Sequence, residues 1–199
     1  MDSNKINLDV LIVGTGFAGM YMLYRMRNLG LNALAIEAAS DVGGTWYWNR
    51  YPGARCDVES VEYSYSFSEE LQQEWEWSHR YSDQPEILQY ANHVADRFDL
   101  RSDIKFETKV TSAHYNSDSK SWDIETDKGD SYNARFCVMA TGTLSAPNAP
   151  DFEGLDTFKG DWYMTSKWPH EALDFSDKKV GIVGTGSTGI QAIPVVAEE

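Results

Sequence analysis

Two copies of one glycine pattern, Gly-x-Gly-x-x-Gly, constrain this chain more than any other feature of its sequence. The first occupies residues 14–19 and the second residues 184–189, and each follows an apolar run. The pattern predicts a buried strand, a sharp turn at the first Gly, room for a pyrophosphate at the second and close helix packing at the third. Since helix N-termini favour anions, we expect two dinucleotide sites. A single copy could also be a tight turn in an ordinary α/β domain.

Glu37 ends the next apolar run, residues 33–36, and lies 23 positions after Gly14. This is close to the spacing of about 20 residues at which a carboxylate binds the ribose hydroxyls of a dinucleotide. Because a carboxylate repels a 2′-phosphate, the first site favours FAD or NAD over NADP. The alternative for Glu37 is a solvated residue at the end of a strand.

Residues 43–57 form a segment that is rich in Gly, Trp and Tyr and also carries Arg55 and Asp57. Aromatic residues in such a segment can form a hydrophobic cluster under a loop. The mixture of glycines, aromatic rings and charges also suits the enclosure of a planar ring system with polar edges. This second interpretation favours a flavin at the first site.

The residues of this segment resemble the type I Baeyer–Villiger monooxygenases, flavoproteins that use FAD, NADPH and O2. Residues 43–57 are similar to that family's Gly-x-Trp, aromatic-Pro-Gly and Asp pattern, and residues 138–142 to its Ala-Thr-Gly segment. Residues 158–169 follow its pattern Phe-x-Gly-x-x-x-His-x-x-x-Trp-Pro, except that Met164 stands in place of the His. Because a thioether has no proton to donate, either the packing role of this linker survives without imidazole or the two half-reactions are poorly coupled.

The resemblance implies an enzyme that oxidises NADPH and inserts one oxygen atom of O2 next to a ketone carbonyl, giving an ester or lactone. It places Asp57 near the flavin as a catalytic residue that would hold an Arg from beyond residue 199. The FAD contacts that it implies are Gly14, Gly16, Phe17, Gly19, Glu37, Thr45, Trp46, Asp57, Tyr63 and the backbone of Val110. The NADP contacts that it implies are Arg55, Cys56, Asp57, Gly184, Thr185, Gly186, Ser187, Thr188, Gly189 and Gln191.

We expect an α/β fold with a Rossmann-like FAD-binding domain, built from a parallel sheet with a small β-meander. This domain would cover residues 1–145, and residues 146–199 would form a linker and the start of a second Rossmann-like domain for NADP. Hydrophobic periodicity predicts helices at 17–29 and 84–100. The second would carry one apolar stripe, Ile87, Ala91, Val94 and Phe98, and Asp83 could cap its start. Strands are expected at 8–13, 33–37, 104–110, 113–115, 121–126, 131–140 and 180–183.

Composition limits the class of protein and its partners. Of the 199 residues 42% are hydrophobic, which is adequate for a core, and we expect no signal peptide at the N-terminus. The net charge of −14 argues against nucleic acid and anionic membranes as partners. The two cysteines, Cys56 and Cys137, offer neither a disulfide framework nor a metal-binding spacing. We therefore expect a soluble cytoplasmic enzyme that acts on a small ketone and O2 and binds no metal.

Two other functions remain open at this point. A flavin monooxygenase that oxidises amines or sulfides shares the glycine patterns, although such enzymes usually lack the Trp-Pro and Tyr-Pro-Gly segments seen here. A non-catalytic FAD-binding fragment is the second alternative. We expect residues 1–199 to be the N-terminal portion of a longer enzyme, and we expect this portion alone not to carry out the oxygenation.

Overall fold

The structure is a computed structural model that describes residues 5–144 and 147–198. Among these, residues 5–47 and 91–144 belong to one unit and residues 48–90 and 147–198 to a second. We call them unit 1 and unit 2. The expected domain boundary at residues 145 and 146 lies outside the described residues.

Unit 1 is built on a six-stranded sheet. Its strands are β1 (Ile6–Val13), β2 (Ala33–Ile36), β3 (Ile104–Lys105), β4 (Val110–Asn116), β5 (Ser121–Thr126) and β6 (Ser131–Met139), in the order β3-β2-β1-β6-β5-β4. The pairs β3-β2, β2-β1 and β1-β6 are parallel, whereas β6-β5 and β5-β4 are antiparallel. The expected α/β fold is confirmed, and the meander is part of the same sheet as the parallel strands.

Both faces of β1 are buried, which explains why its sequence is a nearly continuous apolar run. Val10 and Ile12 pack in a core with Met20 and Leu23 of the following helix. Leu11 points to the opposite face, where it packs in a second core with Tyr132. Successive side chains of a strand point to opposite faces, so β1 contributes to both cores and fixes the position of the glycine turn that follows it.

Five α-helices lie among the described residues. They are α1 (Phe17–Asn28), α2 (Thr45–Trp48), α3 (Glu69–Glu74), α4 (Gln84–Arg97) and α5 (Ser187–Glu198). The predicted stripe on α4 is confirmed, because Ile87, Ala91 and Val94 are at most 1% exposed. The carboxylate of Asp83 accepts a hydrogen bond from the Glu86 N–H at 3.1 Å, which caps the first turn of α4 as expected. Within the described part of the chain, every helix is too short or too polar to cross a bilayer.

The strand expected at 104–110 is wrong in its second half. Strand β3 ends at Lys105, and β4 begins only at Val110. Between them, Glu107 has a φ of +51°, a left-handed conformation that interrupts a strand. The N–H groups of Glu107 and Thr108 instead bond to the carbonyls of Ala39 and Glu37 at 2.9 Å each, so this short turn is tied to the end of β2. The expected strand at 113–115 is the middle of β4.

The buried strand expected at residues 180–183 is also wrong. The structure assigns no strand there. Val180 is 46% exposed and Val183 is 82% exposed. A lone extended segment has no partner for its backbone hydrogen bonds and no covered face. None of the strands in the described ranges pairs with it, so the apolar run alone does not make a strand here.

Candidate functional site

The first glycine turn connects β1 to α1 within unit 1. The Gly14 N–H donates to the Ile36 carbonyl at 2.8 Å, which ties the turn to the end of β2. A Cβ atom at Gly19 would lie 1.9 Å from the Gly14 carbonyl oxygen, so only glycine allows the helix to pack this close to the strand end. Gly16 caps α1 without any side-chain hydrogen bond. The first turn of α1 therefore presents backbone N–H groups and the positive end of the helix dipole, which suits a phosphate.

Glu37 is 5% exposed and holds this turn in place. Its Oε2 accepts from the Thr15 N–H at 2.7 Å and from the Thr15 hydroxyl at 2.9 Å. Its Oε1 accepts from the Ala39 N–H at 2.8 Å. A carboxylate has about four acceptor positions, so three bonds within the chain leave room for roughly one further donor. Sequence reasoning missed Thr15, because it occupies a variable position of the glycine pattern and its role is seen only in its two hydrogen bonds to Glu37.

The other predicted contacts in unit 1 lie on α2 and β4. The Gly43 N–H donates to the Thr15 carbonyl at 3.2 Å, which joins the start of the aromatic segment to the first glycine turn. Thr45 and Trp46 follow on α2, and Trp46 is 8% exposed. Val110 begins β4 and packs against the core around Leu11. The structure thus brings residues 43–46 to the turn, whereas the Val110 side chain serves the core.

The second glycine turn, in unit 2, opens α5. A Cβ atom at Gly189 would lie 3.0 Å from the Gly184 carbonyl oxygen. This contact is tight, but it is much looser than the matching contact at the first turn. Ser187 and Thr188 form the start of α5. The predicted contacts Gly184, Thr185, Gly186, Ser187, Thr188 and Gly189 therefore form one turn and the helix N-terminus that follows it.

Residues 51–57 lie against α5 in the same unit. The Gln191 side chain accepts from the Tyr51 hydroxyl at 2.8 Å and donates to the Asp57 carboxylate at 3.1 Å. It also contacts the backbone of Arg55 on both its N–H and its carbonyl. The predicted NADP residues Arg55, Asp57 and Gln191 are thus brought together. Sequence reasoning missed the Tyr51 hydroxyl as a partner, because nothing in the sequence relates residue 51 to residue 191.

Cys56 and Tyr63 lie in a neighbouring part of unit 2. Cys56 is 3% exposed and its N–H donates to the Ser82 carbonyl at 3.0 Å. Burial raises the pKa of the Cys56 thiol, which keeps the thiol protonated near pH 7. Tyr63 ends the 3₁₀ helix Ser60–Tyr63 and is half-buried. The Cys56 thiol therefore contributes packing rather than chemistry.

Met164 lies just before the short 3₁₀ helix Thr165–Lys167. Its carbonyl accepts from the Lys167 N–H at 2.9 Å. The ring centroids of Tyr163 and Trp168 lie 5.8 Å apart, and those of Trp168 and Phe175 lie 6.1 Å apart. The segment around Met164 therefore has local aromatic packing and a half-buried thioether in it.

Comparisons with known proteins give the family. The family model for pyridine nucleotide-disulphide oxidoreductase matches residues 11–197. A Baeyer–Villiger monooxygenase of Pseudooceanicola batsensis is 50% identical over 96% of this chain, and a phenazine N-monooxygenase of Lysobacter antibioticus is 46% identical over 97% of it. The matched region is 35% of the first protein and 36% of the second.

A solved structure of an oxidised steroid monooxygenase bound to NADP is 59% identical to this chain, with a TM-score of 0.92. The match covers 96% of this chain and 37% of that protein. The chain therefore spans about a third of the length of these relatives and resembles their N-terminal part. Because the family model extends over nearly every residue, the chain belongs to the pyridine nucleotide-disulphide oxidoreductase family, and its relatives within it are Baeyer–Villiger and related monooxygenases.

Proposed function

We propose that this chain forms the FAD-binding and NADP-binding N-terminal part of a monooxygenase that inserts one oxygen atom of O2 next to a ketone carbonyl. The observation that carries the proposal is the first glycine turn, which is held by the buried carboxylate of Glu37 and followed by an α1 N-terminus without a side-chain cap. The similarity to monooxygenases, including a solved relative in complex with FAD and NADP, supports the same conclusion.

The first glycine turn fits the adenosine half of FAD. Gly16, at the N-cap of α1, places no side chain over the N-terminus of the helix, so a pyrophosphate can reach the N–H groups of its first turn. Glu37 has acceptor capacity for about one hydroxyl beyond its three bonds within the chain. Glu37 would therefore accept from one ribose hydroxyl while it holds the turn. The proposed FAD contacts in unit 1 are Gly14, Gly16, Phe17, Gly19, Glu37, Thr45, Trp46 and Val110.

FAD, when bound, supplies the redox chemistry by which NADPH and O2 oxidise the substrate. The chain's part is to bind and orient the cofactors. In unit 2, the α5 N-terminus would hold the pyrophosphate of NADP, and Arg55 would add a positive charge that suits its phosphates. Asp57 and Tyr63 remain predicted contacts of the flavin. The Gln191 carboxamide already has four hydrogen bonds within unit 2, so a direct bond to the nucleotide would displace one of them.

The domain assignment, with an FAD-binding domain at residues 1–145 and the start of an NADP-binding domain at 146–199, belongs to this proposal. A cytoplasmic location and a ketone as substrate belong to it as well. The exposed apolar side chains of Val180, Val183 and Ile190 agree with a second nucleotide domain that requires further sequence to cover them.

The experiment that tests the proposal is a titration of FAD into the purified chain, followed by flavin fluorescence. Glu37→Gln should weaken FAD binding about tenfold or more, because a hydrogen bond to a charged group contributes roughly 1.5–3 kcal/mol. Glu76→Gln, at an exposed position of unit 2, is the matched control. Equal FAD affinities of the wild type and Glu37→Gln would contradict the assignment of Glu37.

Glu37→Gln could also lose FAD affinity by distorting the turn, because the Gln amide would turn an N–H donor toward the donors of Thr15 or Ala39. A second variant separates the two causes. Thr15→Val removes one hydrogen bond to Glu37 and keeps the negative charge. If Glu37 contacts the ribose, Thr15→Val should retain most of the FAD affinity. Equal losses of FAD affinity in Glu37→Gln and Thr15→Val would mean that Glu37 only holds the turn and does not contact the ribose.

Oxidation at nitrogen is a second candidate function, because one relative at 46% identity is a phenazine N-monooxygenase. In the complete protein that contains this chain, products from a cyclic ketone and from an aromatic N-heterocycle would be separated by chromatography. An ester or lactone supports the first proposal. An N-oxide without any ester would replace it by the second.

A further inference from the structure

The Gln191 side chain makes all of its hydrogen bonds to one short stretch of chain. Its Nε2 donates to the Arg55 carbonyl and to Oδ1 of Asp57, both at 3.1 Å. Its Oε1 accepts from the Tyr51 hydroxyl at 2.8 Å and from the Arg55 N–H at 3.3 Å. A carboxamide has two N–H donors and two acceptor lone pairs. Residues 51–57 therefore satisfy the whole amide, and no other neutral side chain of this length offers the same set.

The backbone of α5 contacts the same stretch. Gly53 has a φ of +75°, and a Cβ atom there would lie 2.3 Å from the Gln191 carbonyl oxygen and 3.0 Å from Cγ2 of Val195. Only glycine fits this contact, both for the space and for the backbone conformation. The helix and residues 51–57 are therefore held together at the backbone as well as through the carboxamide, and a displacement of one would be transmitted to the other.

Gln191 lies in the first turns of α5, two residues after Gly189, the last glycine of the second turn. A pyrophosphate bound at the N-terminus of α5 would restrain this helix. The Gln191 side chain also holds the carboxylate of Asp57, an exposed residue. Gln191 thus connects the second glycine turn with Asp57 within unit 2.

We propose that Gln191 is a positioning residue that couples nucleotide binding at the second glycine turn to the conformation of residues 51–57 and to the orientation of Asp57. This role rests on the proposed function only for the identity of the nucleotide. The hydrogen bonds of Gln191 stand without it. The coupling is also distinct from a contact between Gln191 and the nucleotide, because it acts through Tyr51, Arg55 and Asp57.

Substitutions at position 191 separate the parts of this role. Gln191→Met keeps the length of the side chain and removes every hydrogen bond. Gln191→Glu keeps the acceptors for Tyr51 and the Arg55 N–H, but it turns a negative oxygen toward the Arg55 carbonyl and the Asp57 carboxylate. Like charges at this distance repel, so Gln191→Glu should release residues 51–57 at least as strongly as Gln191→Met. Gln73→Met, the same replacement at an exposed position of α3, is the matched control.

The test is the rate of trypsin cleavage after Arg55 in the purified chain, relative to cleavage after Lys128. The scissile bond after Arg55 is restrained on both sides, since its carbonyl accepts from Gln191 and the following Cys56 N–H donates to the Ser82 carbonyl. Lys128 lies in the exposed turn between β5 and β6 and reports on unit 1. Gln191→Met and Gln191→Glu should raise the Arg55 to Lys128 cleavage ratio about tenfold, the factor that corresponds to about 1.4 kcal/mol. Gln73→Met should leave the ratio unchanged. An unchanged ratio in the Gln191 variants, whether or not both rates rise, would overturn the proposal.

A second measurement tests the coupling in the complete protein that contains this chain. NADP+ should slow cleavage after Arg55 in the wild type, and Gln191→Met should lose this protection while calorimetry still shows NADP+ binding. Protection that persists in Gln191→Met would overturn the coupling. If calorimetry shows no binding of NADP+ to the wild type, the proposed function and the coupling both fail, whereas the cleavage ratio without nucleotide still decides whether Gln191 holds residues 51–57.

Discussion

The two glycine turns have the same sequence pattern and different structures. At the first turn, a Cβ atom on Gly19 would lie 1.9 Å from the Gly14 carbonyl oxygen, whereas at the second the matching distance from Gly189 to Gly184 is 3.0 Å. The strand before the first turn is buried, with Ile12 at 0% exposure, whereas Val183 before the second turn is 82% exposed. The pattern therefore permits a tight turn, and the neighbouring strands produce it.

The physical difference lies in what surrounds each apolar run. Strand β1 pairs with β2 on one side and with β6 on the other, so its backbone is hydrogen-bonded along both edges, and its two faces lie in the two cores. Residues 180–183 have no strand partner within the described part of the chain. The first turn also has Glu37 to hold it, and no acidic residue in the structure described here plays that part for the second. Two pairs of substitutions would break or sharpen this comparison, and a third prediction tests the sheet that carries the first turn.

The largest effect is expected from alanine at the third glycine of each turn. Gly19→Ala should destabilise the chain by about 3 kcal/mol or more, because its Cβ would overlap a backbone oxygen that cannot move freely. Gly189→Ala should change stability by about 1 kcal/mol or less, since a modest clash offsets the gain in helix propensity. Urea denaturation followed by circular dichroism measures both. Similar losses in the two variants would mean that the turns are equally tight and that the comparison is wrong.

A smaller difference is expected between the two apolar runs. Ile12→Ala removes a fully buried side chain next to Met20 and Ala35 and should cost about 2–5 kcal/mol. Ile182→Ala removes a side chain that is 38% exposed and should cost less than about 1 kcal/mol. The same denaturation experiment compares them. A large loss from Ile182→Ala would show that residues 180–183 are covered in solution, and it would place the second run in a core.

The smallest effect concerns the pH dependence of unit 1. A hydrogen bond from Lys105, 2.5 Å away, lowers the pKa of the Asp130 carboxyl below its usual value of 3.8. This pair links β3 to the turn between β5 and β6. A carboxyl whose pKa is lowered on folding stabilises the fold above its ordinary pKa, and the contribution disappears as the pH falls through the lowered pKa.

Asp130→Asn should therefore cost about 0.5 kcal/mol at pH 7, since both groups are partly exposed, and it should cost nothing near pH 2. Denaturation of both proteins across this pH range measures the difference. Asp123, which is held by Asn133 and Lys5, provides a matched carboxylate in the same sheet, and its pKa is also lowered. A stability difference between wild type and Asp130→Asn that stays constant down to pH 2 would contradict the ion pair with Lys105.

Much of the fold followed from local patterns. The apolar runs and turn residues predicted β1, β2, β5 and β6 within a residue or two of their ends, and Asp83 with the stripe on α4 predicted that helix. The prediction failed at Glu107, whose left-handed backbone follows from its tie to Ala39 rather than from its own preference. For the site, the glycine pattern placed the turns and the spacing singled out Glu37. The roles of the predicted cofactor contacts stay predictions.

By itself, the sequence determined where the chain can turn and which residues can approach a phosphate, because glycine spacing and strand periodicity are local properties. Only the tertiary structure decided that Glu37 accepts from Thr15 and Ala39, and that Gln191 satisfies its whole carboxamide on residues 51–57. It also decided that residues 180–183 form no strand. These features depend on partners that are distant in the sequence. A hydrogen bond or a buried face exists only where the fold brings both sides together.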